Sequence, residues 1–148
     1  MGKSEIMISM ITLLVLGFST VIDIRKKQIR IIPVGVAMIA IFIVQYFEGQ
    51  NIWMRVISTV GIVLLFLGIS KITKEQIGQG DSFLFGLTGA GLGLTWNFML
   101  IYFTFLEAFF VGIFLMVFKK AGKKYEMPLA PFVFGAYLIL LTGRVWCV

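Results

Sequence analysis

Three acids in this sequence sit where a charged side chain is expensive. Asp23 ends the apolar run from Ile11 to Ile22, Asp81 closes the string Gly78-Gln79-Gly80-Asp81 ahead of another apolar run, and Glu107 lies in the middle of a third. An ionisable residue within or bordering a bilayer is a functional candidate by default. Two carboxylates brought within a few ångströms cannot both ionise comfortably, so such a pair holds one proton and can orient and activate a water. The ionised partner takes a proton from that water as it attacks a peptide carbonyl, and the protonated partner donates to the oxyanion or the leaving amine. The titrations of such a pair are coupled, and neither Asp23 nor Asp81 is assigned a fixed acid or base role. Each also has an ordinary explanation: Asp23 as an ion pair with Arg25 or Lys26, Asp81 as an N-cap whose carboxylate meets free backbone N–H groups. Glu107 reads as a member of an intramembrane polar network rather than a catalytic group.

The remaining acids, Glu5, Glu48, Glu75 and Glu126, fall in loops or at segment ends, where solvated charge is the default. The chain has no histidine and a single cysteine, Cys147. Histidine-activated nucleophiles, histidine-ligated metals, thiolate clusters and disulfide frameworks are thereby excluded, and no metal or cofactor is expected. Aspartate dyad chemistry needs none of these.

The elements that must position these acids are apolar. Of 148 residues, 59% are hydrophobic and 14% charged, where a soluble domain runs at about half and a quarter. Such an excess predicts an all-α membrane protein, a bundle of about six transmembrane helices forming one domain over residues 1–148, with the lipid bilayer as its surroundings. The apolar segments fall at roughly 6–23, 31–47, 52–70, 83–96, 98–118 and 129–147. Lys3 is a weak positive flank and the first run is long, so a retained span is expected there rather than a cleaved leader.

Basic residues orient the bundle. Arg25, Lys26, Lys27 and Arg30 follow the first segment, Lys71 and Lys74 the third, and Lys119, Lys120, Lys123 and Lys124 the fifth. The other side holds Lys3, Arg55 and Arg144. The positive-inside rule places the three basic loops in the cytoplasm and both termini outside, and it accounts for the net charge of +6 without nucleic acid. Asp23 and Asp81 then share the cytoplasmic face.

The glycines near Asp81 suit a site. Gly78 and Gly80 lack Cβ, which permits unusual backbone conformations and close approach of a substrate strand. The fourth segment, about 14 residues at ~1.5 Å each, reaches only ~21 Å against a ~30 Å hydrocarbon core. Either the bilayer thins locally or Asp81 sits in a water-filled depression below the membrane surface, and the second is the expectation because hydrolysis needs water. Gly86, Gly89, Gly91 and Gly93 read as close helix packing. Pro33, Pro128 and Pro131 lie near segment starts, where a missing N–H costs little.

Together these motifs resemble the type IV prepilin peptidases, polytopic aspartic proteases with a GxGD motif. Gly78-Gln79-Gly80-Asp81 matches that motif. Asp23-Ile24-Arg25-Lys26-Lys27-Gln28-Ile29 matches the family's earlier Asp-x-Arg-x-x-x-Ile, and Pro128-Leu129-Ala130-Pro131-Phe132 matches Pro-x-x-Pro-Phe opening the last span. The order is the family's, and the three elements cover nearly the whole chain. The resemblance implies catalysis by Asp23 and Asp81, with Gly78, Gly80, Arg25, Ile29, Pro128, Pro131 and Phe132 shaping the site. It implies a prepilin or pseudopilin substrate, cut after a short basic leader at the cytoplasmic side of a prokaryotic plasma membrane.

The chain departs from the family at two places: Arg30 follows Ile29 where proline is common, and Phe83 stands where many members have lysine. It also lacks the cysteine-bearing insert of long members, so it is similar to the short forms serving tight-adherence pili, and methyltransferase activity is not expected. Archaeal preflagellin peptidases share the two-aspartate pattern. From other classes, a small proton or cation transporter or channel subunit would use Asp23, Asp81 and Glu107 as a path, and a non-catalytic pilus assembly factor would use neither aspartate chemically.

Overall fold

The computed structural model describes residues 2–26, 29, 31–49, 52–72, 78–119 and 127–146. Among them run six helices: α1 (Lys3–Lys26), α2 (Ile31–Phe47), α3 (Ile52–Ile72), α4 (Gln79–Leu92), α5 (Leu94–Lys119) and α6 (Ala130–Trp146). Three stretches, Lys3–Arg25, Ile52–Ile72 and Leu94–Phe118, are long and apolar enough to cross a membrane, and Ile31–Phe47 and Ala130–Gly143 are shorter apolar helices. Their outer faces carry exposed large apolar side chains such as Leu14, Phe18, Ile32, Leu64, Phe109 and Phe118, a surface that water does not favour.

Helix limits follow local chemistry. Pro33 and Pro131 sit in the first turns of α2 and α6, where no intrahelical partner awaits their missing N–H. Gly49 follows α2 with φ 65°, the left-handed conformation that ends a helix at little cost. The fourth element departs from the expected 83–96. It begins at Gln79 and ends at Leu92, because Gly93 at φ 81° breaks the path and α5 starts at Leu94. Gly93 donates its N–H to Gly89 O at 2.9 Å and accepts from Asn97 N–H at 3.0 Å, so α4 and α5 join through this one residue. Asp81 consequently lies within the first turn of a helix, not ahead of it.

α4 is the centre of the bundle and touches each of the other helices. Leu84, Phe85, Leu87 and Ala90 are fully buried on it. Its glycines are sites of close packing, as their spacing suggests: Gly86 lies against Val63 of α3 and Met38 of α2, and Gly91 against Ile8 and Thr12 of α1. Phe85 packs in a tilted arrangement on Phe66 of α3 and stacks with Phe105 of α5, at centroid separations of 4.6 and 6.1 Å.

Polar side chains close the end of α4. Gln45 Nε2 donates to Ala90 O at 2.8 Å, and the Arg55 guanidinium reaches Gly91 O at 3.2 Å. These carbonyls belong to the last turn, which has no further amide to bind. Asn97 bridges α5 back to α4: its Nδ2 donates to Phe85 O at 2.9 Å, and the Thr88 hydroxyl donates to its Oδ1 at 2.7 Å.

Candidate active site

Asp23 is the most informative side chain at the other end of α4. It lies on the last turns of α1 and is only 5% exposed. Of the two ion-pair partners expected for it, Arg25 is exposed and the Lys26 side chain lies outside what the structure describes; the Asp23 carboxylate turns inward to α6. Its Oδ2 accepts the Ala130 N–H at 3.1 Å, and the Leu129 amide adds a second backbone hydrogen bond. Thr20, one turn earlier on α1, donates its hydroxyl to Ala130 O at 3.2 Å. Both backbone groups of Ala130 are thus held by α1. A helix start leaves its first N–H groups unpaired and carries a partial positive charge, and the carboxylate meets both needs.

Asp81 stands at the head of α4 and is 8% exposed. It is not the N-cap expected for it. Gly78 caps α4, and Asp81 occupies the third helical position, its N–H bonded to Gly78 O at 3.0 Å. Its carboxylate folds back on the Gly78 amide, the reciprocal half of a capping box. Its Oδ1 is buried and has no hydrogen-bond partner among the described residues. Leaving a buried acceptor unpaired costs about 1–3 kcal/mol. Gln45 Oε1, Thr59 Oγ1 and Ser82 Oγ are buried without a partner among the described residues as well, but of the four only Asp81 Oδ1 belongs to a carboxylate. The Asp23 carboxylate is close enough to act electrostatically on Asp81.

The glycines of the motif work by space. Gly78 has φ −59° and ψ 136°, which any residue adopts, so it needs no special backbone. A Cβ there would stand 3.1 Å from Asp81 Oδ2. Gly80 lies in the helix, and a Cβ on it would come within 2.5 Å of Ile29 Cβ. Ile29 therefore seats the chain after Asp23 directly on the residue before Asp81, which locks the first motif to the second.

The structure brings together Asp23, Asp81, Gly78, Gly80, Ile29 and the Pro128–Phe132 turn at one end of the bundle. Phe132 N–H closes this turn onto Leu129 O at 3.0 Å. Arg25, two residues after Asp23, is exposed. Glu107 stands apart, half-buried on α5 against Gly135 of α6. Phe83, at the position where the resemblance expects lysine, packs against the core. Thr20, Gln45 and Asn97 escaped the sequence reading, which weighed acids and glycines; a polar residue inside an apolar run was the available signal. The basic residues Lys27, Arg30, Lys74, Lys120, Lys123 and Lys124, the acids Glu75 and Glu126, and Cys147 lie outside the described residues. No group of acids and cysteine among the described residues is arranged to hold a metal ion.

Comparison with family models, with curated proteins and with solved structures finds no match to this chain. The functional reading therefore rests on the site and on the motif resemblance.

Proposed function

We propose that this chain is an aspartic endopeptidase of the prepilin-peptidase type. It would cut the basic leader from pilin-like membrane proteins at the cytoplasmic face of a plasma membrane, through a coupled Asp23–Asp81 dyad. One observation carries the reading: two aspartates far apart in sequence are both buried, within electrostatic reach of each other, where three motif elements meet.

The chemistry follows from that arrangement. With one proton shared between the carboxyl groups, the ionised member draws a proton from water as the oxygen attacks the scissile carbonyl. The protonated member stabilises the developing oxyanion, and the proton taken from water passes to the leaving amine as the C–N bond breaks. Asp81 Oδ1, buried without a described partner, is the acceptor available to that water. Asp23 enters the reaction already oriented by Ala130, which reduces the reorganisation left for the chemical step. The short α4 supports the recessed position of the dyad: fourteen residues at ~1.5 Å each give ~21 Å, less than the ~30 Å apolar core. In this reading all six helices belong to the membrane bundle, and both termini face outward.

Co-expression with a candidate prepilin from the same genome, scored by the mobility shift of the pilin, tests the proposal. Wild type is expected to process the pilin. Asp23→Asn and Asp81→Asn are each expected to abolish processing while remaining inserted at wild-type level. Processing at wild-type rate by either variant would remove the dyad from the mechanism. Proton or cation flux in proteoliposomes without cleavage would replace the protease by a transport protein.

A further inference from the structure

Glu107 is a carboxylic acid that the dyad does not use. It continues the bundle-facing row of α5, after the fully buried Leu100 and Thr104, at the spacing that lines one helical face. Beyond it the packing gives way, and Phe109, Phe110, Phe114 and Phe118 are exposed. The Glu107 side chain reaches over α6 at Gly135, where a Cβ would stand 2.8 Å from Oε2. Glycine at 135 thus makes the room in which the carboxylate lies. No donor among the described residues forms a hydrogen bond with it. An acid held at membrane depth needs a polar partner, and the seam between α5 and α6 leaves this one able to meet a partner from outside.

Its distance from the site is set by α6. Ala130, the residue that holds Asp23, starts that helix, and Gly135 lies five positions on. At ~1.5 Å per residue this places Glu107 ~7.5 Å deeper than the Asp23–Ala130 contact. A substrate entering as a membrane helix covers that depth in about five residues. If it is drawn out near the cut, at ~3.3 Å per residue, it covers it in about two.

We infer that Glu107 is a specificity-determining residue: it accepts a hydrogen bond from a donor side chain (serine, threonine, asparagine or glutamine) lying two to five residues on the membrane side of the cleaved bond. The inference rests on the proposed protease reading and adds the class of substrate helix that the enzyme prefers.

The test uses the full-length protein in liposomes with pilin-like substrates that share one basic leader and one apolar helix. In one series an asparagine replaces leucine at successive positions after the cut; the reference helix is all leucine. Wild type is expected to favour asparagine at the second to fifth positions about tenfold in kcat/KM, and asparagine further along not at all. In Glu107→Leu this ratio should collapse to about one, and in Glu107→Gln, which keeps an acceptor oxygen, it should survive. Gly135→Ala, which displaces the carboxylate, should reduce the ratio with Glu107 still present. A merely structural role for Glu107 would slow both substrates alike and leave the ratio intact, and that result would overturn the inference. Absence of cleavage by wild type on every substrate would instead overturn the protease reading itself, and this inference with it.

Discussion

Gly80→Ala is the sharpest test of how the site is assembled. The new Cβ would lie 2.5 Å from Ile29 Cβ, 3.2 Å from its Cγ2 and 3.3 Å from its Cδ1. Carbon atoms settle at about 3.5–4.0 Å, so the closest contact must open by roughly 1–1.5 Å. Turning the Ile29 side chain cannot supply that, because the nearest atom is attached to the backbone. The strand of chain after α1 must move instead, and Asp23 lies on the α1 turn just before it. Overpacking of this kind costs about 1–3 kcal/mol, which lowers the melting temperature without preventing folding. A displacement of about 1 Å in a catalytic group costs ~100-fold in rate. On the proposed protease reading, pilin processing followed over time should therefore slow about 100-fold while the purified variant still unfolds cooperatively in detergent. The second-site behaviour is specific. Ile29→Ala keeps the offending Cβ and should not rescue Gly80→Ala, whereas Ile29→Gly removes it and should. Processing at wild-type rate by Gly80→Ala, or equal rescue by alanine and glycine at position 29, would refute the packing argument.

Other substitutions separate architecture from chemistry. Gly78→Ala should change stability by under ~0.5 kcal/mol, since its backbone is ordinary; the new methyl, 3.1 Å from Asp81 Oδ2, should slow processing by less than the Gly80 variant does. Asp23→Asn keeps an oxygen for the Ala130 N–H and should melt near wild type with no processing. Asp23→Ala should also lose about 1–3 kcal/mol of stability because that amide is left unpaired, a difference that thermal unfolding of the two variants measures. Arg55→Met strips a donor from the far end of α4 and should cost about 1–2 kcal/mol in chemical unfolding, with processing retained. Asn97→Leu removes the partners of Thr88 and Phe85 O and crowds Gly89, so unfolding should show a loss of at least ~2 kcal/mol.

The helical segments were legible because apolar runs are long and their interruptions short. The segment read at 31–47 coincides with α2, and 52–70 falls within α3. The fourth segment was misplaced because apolar residues continue through the α4–α5 junction: Leu92, Gly93 and Leu94 give no change of composition where the chain turns. The positive φ at Gly93 leaves no mark in the sequence distinguishing it from Gly89 or Gly91. The candidate acids were legible from cost alone, since carboxylates beside apolar runs are few. Their surroundings were not. Glycine at 78 and 80 suggests backbone freedom when read along the chain, but the space at each is taken by a side chain, that of Asp81 in one case and of Ile29 in the other.

The third motif illustrates why its central residue went unremarked. Asp23 binds a backbone amide, and backbone groups are the same at every non-proline position, so nothing about alanine at 130 signals the contact. The flanking residues select it. Pro128 and Pro131 have no N–H to offer, and Phe132 N–H is committed to Leu129 O. Within Pro128–Phe132 the amides left for a carboxylate are those of Leu129 and Ala130, the two that Asp23 engages. The prolines therefore do more than start α6 without loss: by removing competing donors on both sides, they fix where Asp23 can rest. The full burial of Ala130 restricts its side chain by size alone. Prolines at 128 and 131 around the Leu129 and Ala130 amides are what this contact requires, and it couples the position of α6 to the orientation of the Asp23 carboxylate.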